Sequence, residues 1–529
     1  MKILTRPAML ALGLAVFCLL TVIAPLVSPT HVAYYRLSGN AWLIIFPILL
    51  NLVAVWLLLT VLLTIAERPG RFRIILWSTI TLGLPFAFLK SYSALMHPHT
   101  PHMLTMAVFV LTVAALLLLW ILWKPAYLPL FERVRRLMTT ALAFGTISGI
   151  LVVVQLLWFT WQARNLNKPR ALHQHHASSA DPPKTRVIWL ILDELSYQQV
   201  YERRYQGLKL PAFDELAAES TLFTQTVPVA DSTEIVVPSL MTGIQFNRIS
   251  ASAAGQPVLH NVATGQWQGL DPHQTVFQDA LDKGYSTGIA GWFNPYCRIL
   301  APVVDRCFWS SHFFHIGQGL YAEQSFITNL FVPASRLLNQ ALSLVPGHSH
   351  ANPDEVVAAQ HHIDDYKDIF AKADELVADS SIDFVFLHLP VPHPEGIYDR
   401  RTAQLSPYGE SSYIDNLALA DEYLAHLHRV LVQRGEWDSS AIVLMGDHSW
   451  RTLLVRREQE RWTREDEAAS DGGKFEDRPA YVVKLPNQRQ PVRIDDRFAA
   501  VRTRALLDGI MTNRIKTPED LATWVQQQN

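Results

Sequence analysis

One stretch of the chain contains the residue best suited to act as a nucleophile. It is VADSTEIVVPSLMTG, residues 229–243, and the residue is Thr233. Asp231, Ser232 and Thr233 are types that cap helices, and Pro238 is tolerated near a first turn but not in a helix interior. The stretch therefore predicts a helix start beside a hydroxyl, where free N–H groups and the helix dipole favour a phosphoryl group. For an isolated Ser-Thr pair, simple capping would be the ordinary interpretation.

Two apolar segments elsewhere end in side chains that bind divalent metals. VIWLIL is followed by Asp193 and Glu194, and AIVLMG is followed by Asp447 and His448. Both segments are typical of buried strands, and α/β sheets bind ligands at the carboxyl ends of such strands. Carboxylates, an imidazole and a hydroxyl together suit a metal that activates the hydroxyl and polarises a phosphoryl oxygen. Alternation along a strand would aim only one of Asp193 and Glu194 inward, whereas a turn beginning there would free both.

The first third of the chain predicts five transmembrane helices. Half of all residues are hydrophobic and only 17% are charged, which agrees with a membrane protein. Five successive apolar runs fit soluble core helices poorly, because they would leave no polar face. Each run has close to the roughly 20 residues that cross a bilayer. The runs are Ala8–Val27, Ala41–Ala66, Ile74–Leu95, Met103–Trp123 and Leu137–Trp161.

Basic residues predict the orientation of these helices. The first run lacks a convincing cleavage site, so we interpret it as a retained helix and not as a signal peptide. The positive-inside rule places the N-terminus in the cytoplasm and, after five helices, the rest of the chain outside. We therefore expect a multi-pass protein of the inner membrane with a periplasmic domain. One side carries Lys2, Arg6, Arg68, Arg71, Arg73, Lys124, Arg133, Arg135 and Arg136, and the other carries Arg36 and Lys90.

Three regions follow from this pattern. Residues 1–161 form the predicted transmembrane domain, 162–185 a polar linker, and 186–529 an extracytoplasmic domain. In that domain Cys297 and Cys307 lie ten residues apart, and an oxidising compartment favours a disulfide between them. A metal site at these cysteines would need further ligands that the segment YCRILAPVVDRC does not supply.

The order of the sequence blocks from Arg186 to the C-terminus resembles the sulfatase and alkaline-phosphatase superfamily. Within it, the chain resembles membrane-anchored phosphoethanolamine and phosphoglycerol transferases. VIWLILDELS looks like the first metal-bearing strand of the family, and LPAFDELAAESTLFTQT like the helix and strand that follow. TEIVVPSLMTG looks like the nucleophile block, and FQDALDKGYSTGIAG, FVFLHLPVPH and LMGDHS follow in the expected order.

This resemblance implies an α/β fold with a central, mostly parallel sheet between helices. It also implies that Thr233 is the catalytic nucleophile and that a divalent metal is bound, zinc or manganese, with calcium or magnesium as alternatives. The implied metal ligands are Asp193, Glu194, Thr233, Asp447 and His448.

Three further residues receive roles from the resemblance. His393 is implied to hold the transferred group or to protonate a leaving oxygen, with His388 behind it; a core histidine is the alternative for His388. Lys474 matches an anion-contacting lysine of sulfatases.

The chain also departs from the family. Trp292, Phe293 and Asn294 replace a basic sulfate-contacting pair, which argues against sulfate as the substrate. No histidine follows where some transferases place a further zinc ligand, so we do not expect a second metal. Residues 478–486 predict an edge strand near the C-terminus.

Together these observations predict a membrane-bound transferase. It would move a phosphoryl substituent, of phosphoethanolamine or phosphoglycerol type, from a lipid donor to an envelope lipid or glycan through a covalent threonine intermediate. The alternatives are a sulfatase-like or phosphodiesterase-type hydrolase using the same site, and a noncatalytic membrane protein. A true sulfatase needs Cys or Ser in a C/S-x-P-x-R setting, which Thr233 does not provide. Nucleic acid is not an expected partner.

Overall fold

The chain divides into two compact units. The structure is a computed structural model, in which one unit comprises residues 1–33, 39–165 and 315–348, and the other residues 34–38, 166–314 and 349–529. We call the second unit the catalytic unit. The residues described are 2–28, 32–81, 83, 128–174, 184–312, 320, 324–342, 353–408, 412–458 and 462–527.

The first unit is helical. Two of its helices, Trp42–Ile65 and Leu128–Ala163, are long and apolar enough to cross a membrane. The first predicted run is divided at Leu19, the third is described only in part, and the fourth lies outside the described residues. The count of five membrane helices therefore stays a prediction. Within the described residues, the helices of this unit are Lys2–Cys18, Leu20–Val27, Trp42–Ile65, residues 71–81, Leu128–Ala163 and Phe326–Leu342.

Small residues allow two of these helices to approach closely. A Cβ atom added to Gly13 would lie 2.7 Å from the carbonyl carbon of Gly145. Next to this crossing, Thr146 Oγ1 donates a hydrogen bond to the carbonyl of Met9 at 2.6 Å. In lipid, hydrophobic burial does not drive apolar helices together. Such helices commonly associate through close backbone approach at small residues, supported by hydrogen bonds of this kind.

An eight-stranded sheet forms the centre of the catalytic unit. Its order is β13-β2-β12-β11-β1-β8-β6-β7. Most neighbours are parallel, so the predicted α/β architecture is confirmed. The strands are β1 Val187–Leu192, β2 Thr221–Val227, β6 Thr287–Trp292, β7 Arg306–Ser310, β8 Phe384–Leu389, β11 Ala441–Gly446, β12 Tyr481–Lys484 and β13 Val492–Ala499. Smaller sheets contain β3 Phe246–Ala251, β4 Pro257–Asn261 and β5 Trp267–Gly269, and β9 Tyr398–Asp399 and β10 Gln404–Leu405.

The prediction of an edge strand at residues 478–486 is wrong. β12 lies inside the sheet, antiparallel to both β11 and β2. All four of its residues are buried. A run with both faces covered is typical of a central strand. β13 lies at an edge beyond β2, and all four of its charged residues are exposed.

Both faces of the sheet are covered by helices. Successive side chains of a strand point to opposite faces. In β1, Ile188 and Leu190 enter one hydrophobic core, while Trp189 and Ile191 enter the other. The helices around these cores are Pro211–Ala218, Thr233–Thr242, Val276–Asp282, Tyr296–Ile299, Pro353–Ala378, Tyr413–Gln433, Thr452–Glu458, Arg464–Ala469, Thr503–Met511 and Pro518–Gln526.

A disulfide joins Cys297 and Cys307 within the catalytic unit. Cys297 lies in the short helix Tyr296–Ile299, and Cys307 lies in β7. The bond therefore ties the segment that follows β6 to the strand at the end of the sheet.

Candidate active site

The register of the central strands brings the two acidic segments together. Leu192 at the end of β1 pairs with Gly446 at the end of β11. Asp193 and Asp447 are the next residues of these parallel strands, so they leave the sheet side by side. On the other side of β1, His388 in β8 lies opposite Ile191. Both carboxylates and His388 are fully buried.

Thr233 occupies the space between the two carboxylates. Its Oγ1 lies 2.8 Å from Asp447 Oδ2 and 3.2 Å from Asp193 Oδ2. It is the first residue of the helix Thr233–Thr242, which follows Ser232 in extended conformation and ends at Gly243 with φ 69°. Pro238 lies inside this helix, contrary to its predicted place in the first turn. The proline has no N–H to donate to the carbonyl four residues earlier.

His448 presents a ring nitrogen to the same point. Its Nε2 lies 3.3 Å from Asp447 Oδ2, and its Nδ1 lies 3.1 Å from the carbonyl oxygen of Ser449. Because a carbonyl oxygen only accepts, Nδ1 carries a proton, and Nε2 is the nitrogen directed at Asp447. A second-sphere carbonyl that fixes the imidazole in this way is typical of metal-binding histidines.

A divalent metal fits these residues. Ligand atoms of Asp193, Asp447 and His448 all lie within 4.8 Å of one another. Among the described residues, Asp193 Oδ1, His388 Nε2 and His448 Nε2 are buried without a hydrogen-bond partner. Buried polar atoms are rarely left unsatisfied, and oxygen and imidazole ligands together suit zinc or manganese.

The two carboxyl groups differ in electrostatic environment. Burial, together with Asp447 and Glu194, raises the pKa of Asp193 well above its usual value. Burial would also raise the pKa of Asp447, but His448 and His388 and the hydrogen bonds from the Glu194 N–H and the Thr233 hydroxyl lower it. A positive charge placed between the two carboxyl groups would therefore be favourable.

Glu194 contacts a cation of the protein itself. Its backbone is left-handed, with φ 62°, and its carboxylate lies within 4.8 Å of ligand atoms of Asp193 and His393. Arg451 Nε donates to Glu194 Oε1 at 2.6 Å, and the backbone N–H of Arg451 donates to Oε2 at 3.2 Å. Sequence reasoning did not single out Arg451. The signal was present as a cation directly after the buried segment that carries Asp447.

His393 lies at the edge of this group. Its Nε2 is 3.4 Å from Arg451 Nη2 and 3.9 Å from Glu194 Oε1, and its Nδ1 donates to the carbonyl of Pro394 at 2.7 Å. Burial, with Arg451 nearby, lowers the pKa of His393 to about 3. The side chain is therefore a neutral imidazole, and its Nε2 accepts the hydrogen bond from Arg451 Nη2.

Two tyrosine hydroxyls contact residues of the site. Tyr296 OH lies 2.7 Å from His388 Nδ1, and Tyr413 OH donates to the carbonyl of Glu194 at 2.7 Å. Burial lowers the pKa of His388 to about 4, so His388 is also neutral. Tyr296 and Tyr413 were not predicted, since a buried tyrosine carries no spacing that marks its partner.

Lys474 is not among the residues brought together here. Its side chain is 76% exposed and its Nζ lies 2.5 Å from Asp471 Oδ2. The structure thus brings together seven of the predicted site residues, namely Asp193, Glu194, Thr233, His388, His393, Asp447 and His448.

Comparisons with known proteins give the following likenesses. Phosphonate monoester hydrolase of Agrobacterium radiobacter is 13% identical, with 62% of this chain and 74% of that chain covered and a TM-score of 0.37. An alkaline phosphatase superfamily protein from Vibrio parahaemolyticus is 15% identical, with 62% and 67% covered and a TM-score of 0.35. Murine ectonucleotide pyrophosphatase/phosphodiesterase 5, inactive and in complex with AMP, is 11% identical, with 65% and 99% covered and a TM-score of 0.36. No curated protein matches.

The Sulfatase family model matches residues 185–467, which is more than half of the 529 residues. The matched region runs from the strand before Asp193, through the helix that begins at Thr233, to the helix Arg464–Ala469 beyond His448. Since the match includes every element that builds this site, the chain belongs to the sulfatase family.

Proposed function

We propose that this sulfatase-family enzyme is a membrane-bound phosphotransferase with Thr233 as its nucleophile. The single observation that carries the proposal is the place of the Thr233 hydroxyl, at the start of a helix and in contact with both Asp447 and Asp193. A hydroxyl held there is in a position to attack a phosphorus atom while its proton passes to a carboxylate. The lipid donor and the envelope lipid or glycan acceptor are parts of this proposal.

Asp193, Asp447 and His448 would hold a divalent metal, with Thr233 as a further ligand. When bound, zinc or manganese would lower the pKa of the hydroxyl and withdraw charge from the phosphoryl oxygens. Glu194 was predicted as a ligand too, but its carboxylate is engaged by Arg451. This pairing favours Asp193 as the inner ligand of the two.

The transfer takes place in two displacements. Thr233 Oγ1 forms a bond to phosphorus and passes its proton to a carboxylate. The bond from phosphorus to the diacylglycerol oxygen of the donor breaks, and this oxygen takes up a proton, so diacylglycerol leaves and a phosphodiester remains on the threonine. A hydroxyl of the acceptor then attacks the same phosphorus and releases Thr233, which recovers its proton. The free N–H groups of the helix start stabilise the negative oxygens in both steps.

His393 suits one of its two predicted roles better than the other. Burial and Arg451 disfavour its protonated form, with the pKa lowered to about 3. A proton for the leaving oxygen is therefore not readily available from this side chain. Holding the transferred group is the better fit, because Nε2 would accept a hydrogen bond from an ammonium or hydroxyl of that group in exchange for the one from Arg451.

The apolar helices support a membrane location. Trp42–Ile65 and Leu128–Ala163 are long enough to cross a bilayer. Large apolar side chains on the second helix point outward, since Leu137, Phe144 and Leu151 are 70%, 69% and 62% exposed. Exposed apolar surface of this extent is costly in water and expected in lipid. A donor in the same membrane is the simplest source of the phosphoryl group.

The experiment that tests this function is the capture of the covalent intermediate. Full-length protein in detergent is incubated with zinc and with phosphatidylethanolamine or phosphatidylglycerol but without acceptor, and its peptides are examined by mass spectrometry. We expect the peptide containing Thr233 to gain the mass of phosphoethanolamine or phosphoglycerol. Thr233→Ala should lose adduct and turnover, and Thr233→Ser should retain part of both.

Ser232→Ala is the matched control, because Ser232 is the neighbouring hydroxyl and lies outside the helix. It should form the adduct normally. Undiminished turnover in Thr233→Ala would refute the covalent mechanism. Phosphodiester cleavage that proceeds at the same rate without any acceptor would identify the alternative function, a hydrolase that uses water in the second displacement.

A further inference from the structure

A segment inserted after β7 belongs to the helical unit and not to the catalytic unit. Residues 315–348 group with the first unit, although the strand before them and the long helix after them belong to the catalytic unit. The reverse occurs at residues 34–38, which belong to the catalytic unit. There the buried guanidinium of Arg298 donates to the carbonyls of Tyr34 at 2.9 Å and Leu37 at 2.6 Å.

The helix Phe326–Leu342 lies within the inserted segment, and we call it the insertion helix. One of its faces packs on the helix Trp42–Ile65. The fully buried Asn329 donates from Nδ2 to the carbonyl of Leu43 at 2.8 Å. In the other direction, Asn51 Nδ2 donates to the carbonyl of Leu330 at 2.9 Å. Side-chain amides that form hydrogen bonds across a helix pair in this way are typical of helices that pack in lipid.

These two hydrogen bonds define where the insertion helix lies along its neighbour. Leu43 and Asn51 are eight residues apart, which corresponds to about 12 Å along a helix axis. Leu43 follows Trp42, the first residue of that helix, and tryptophan prefers the interface between membrane and water. Because the hydrocarbon core of a bilayer is about 30 Å thick, residues 329 and 330 lie at the depth of the leaflet nearer to Trp42.

A second face of the insertion helix is apolar and open. Ile327 and Phe331 are 66% and 60% exposed, and their spacing of four residues places them on the same side. Residues 326–335 contain no charged side chain. At the same depth, the neighbouring helix also exposes large apolar side chains, with Phe46 at 45% and Leu50 at 44%. Apolar surface at one depth on both helices is costly in water and expected in lipid.

A third face of the insertion helix is polar. Thr328 and Ser335 are exposed and seven residues apart, so they share one side of the helix. Since consecutive helical residues are rotated by about 100°, this side lies next to the one that carries Ile327. A helix with neighbouring apolar and polar faces is suited to the membrane interface, where one face contacts acyl chains and the other contacts water.

We propose that the insertion helix lies in the membrane interface, with Ile327 and Phe331 embedded in the acyl chains of the lipids around the helix Trp42–Ile65. The proposal rests on the membrane location in the proposed function and not on the transfer reaction. A segment inserted between two elements of the catalytic unit is then in contact with the lipids from which the donor is drawn. A second copy of the chain is the competing occupant of the apolar face, and the test distinguishes it from lipid.

The experiment measures the depth of single spin labels in vesicles. The chain has three cysteines, two of which form the disulfide, so Cys18→Ser removes the remaining thiol. Full-length protein with Ile327→Cys or Phe331→Cys is labelled with a nitroxide and reconstituted into vesicles of phosphatidylcholine and phosphatidylglycerol. Collisions of the label with oxygen, which concentrates in lipid, are compared with collisions with a water-soluble nickel chelate. We expect the ratio to favour oxygen several-fold and to give a depth of about 5–10 Å below the headgroups.

Two further labelling sites provide the references. Thr328→Cys is the matched control, because Thr328 is the neighbouring exposed residue on the polar face, and its label should collide mainly with the nickel chelate. Leu58→Cys is the reference for lipid, since Leu58 is 59% exposed in the helix Trp42–Ile65. The unfolding temperature of each labelled variant shows that it is folded.

Labels at positions 327 and 331 that favour oxygen, as the label at position 58 does, support the proposal. Labels that collide with the nickel chelate as readily as the label at position 328 would overturn it. Labels shielded from both reagents would mean that a second copy covers this face, which would also overturn it. A label at position 58 that is open to the nickel chelate would refute the membrane location and the proposal with it. Failure of the transfer reaction would instead be seen in the adduct experiment.

Discussion

Replacing Asp193 by Asn should make the metal-free protein more stable while abolishing its stabilisation by metal. Ligand oxygens of Asp193 and Asp447 lie within 4.8 Å of each other, and both side chains are fully buried. Two unit charges at this separation repel by about 3 kcal/mol at an effective dielectric constant of about 20. Arg451 and the protonation of Asp193, whose pKa is raised, offset part of this, so we expect Asp193→Asn to gain about 1–2 kcal/mol without metal.

The assay is thermal unfolding of the full-length protein in detergent, with EDTA and with a series of zinc or manganese concentrations. In EDTA, the Tm of Asp193→Asn should exceed that of the parent by about 2–4 °C. A metal at about a thousand times its Kd stabilises the folded state by about 4 kcal/mol. The parent should show this rise. Asp193→Asn, which lacks a charged ligand, should show almost none.

The control is Asp438→Asn, which removes an exposed carboxylate that pairs with Arg489. It should change neither the Tm in EDTA nor the effect of metal. A metal-free Asp193→Asn that unfolds at a lower temperature than the parent would mean that Asp193 is structural. An unchanged rise with zinc or manganese in that variant would refute its role as a ligand.

Three further predictions concern residues around the site and in the scaffold. A Cβ atom on Gly446 would lie 2.5 Å from the carbonyl oxygen of Leu195, so Gly446→Ala should shift the loop that carries the metal ligands. Zinc affinity, measured by calorimetry, should fall at least tenfold. Burial raises the pKa of Asp421 to about 6, so the folded state binds a proton at this carboxyl group more tightly than the unfolded chain does. The contribution of the protonated group to stability is therefore lost as the pH rises through about 6. Asp421→Asn should therefore be more stable than the parent by about 1 kcal/mol in urea unfolding at pH 7.5, reduced for partial exposure, and nearly equal to it at pH 4.5. Without reductant Cys297 and Cys307 should resist alkylation, and replacing both by Ser should cost about 2–3 kcal/mol in the same unfolding assay.

The pairing of the acidic segments could be predicted because it follows from local pattern. Apolar runs such as VIWLIL and AIVLMG are long enough for one buried strand each, and an acid at the end of such a strand lies at the edge of a parallel sheet. The structure places Asp193 and Asp447 next to each other for this reason. The helix Thr233–Thr242 is similarly local, since it follows the extended residue Ser232 and ends at the left-handed Gly243, although the Ser232 side chain makes no capping hydrogen bond.

The direction and neighbours of β12 could not be predicted from its composition. A four-residue apolar strand fits an edge or a centre equally well, and only the arrangement of β2 and β11 decides. The ion-pair partner of Glu194 could not be predicted for a related reason. Nothing in the spacing of the acidic residues indicates that one of them binds a metal while the other pairs with Arg451. The backbone at Glu194 is left-handed, and this conformation sets the direction of its side chain. A non-glycine residue does not indicate such a conformation in the sequence.

The clamp that Arg298 makes on Tyr34 and Leu37 limits how this protein can be shortened. A truncated form beginning at residue 166, designed to obtain a soluble enzyme, would contain the whole sheet and every metal-binding side chain. It would also leave the buried guanidinium of Arg298 without the carbonyls of Tyr34, Tyr35 and Leu37, and Asn294 without Tyr35. Such a fragment should gain stability when a peptide of residues 32–38 is added to it. A fusion that carries this peptide on a flexible linker would be the better starting point for crystallisation.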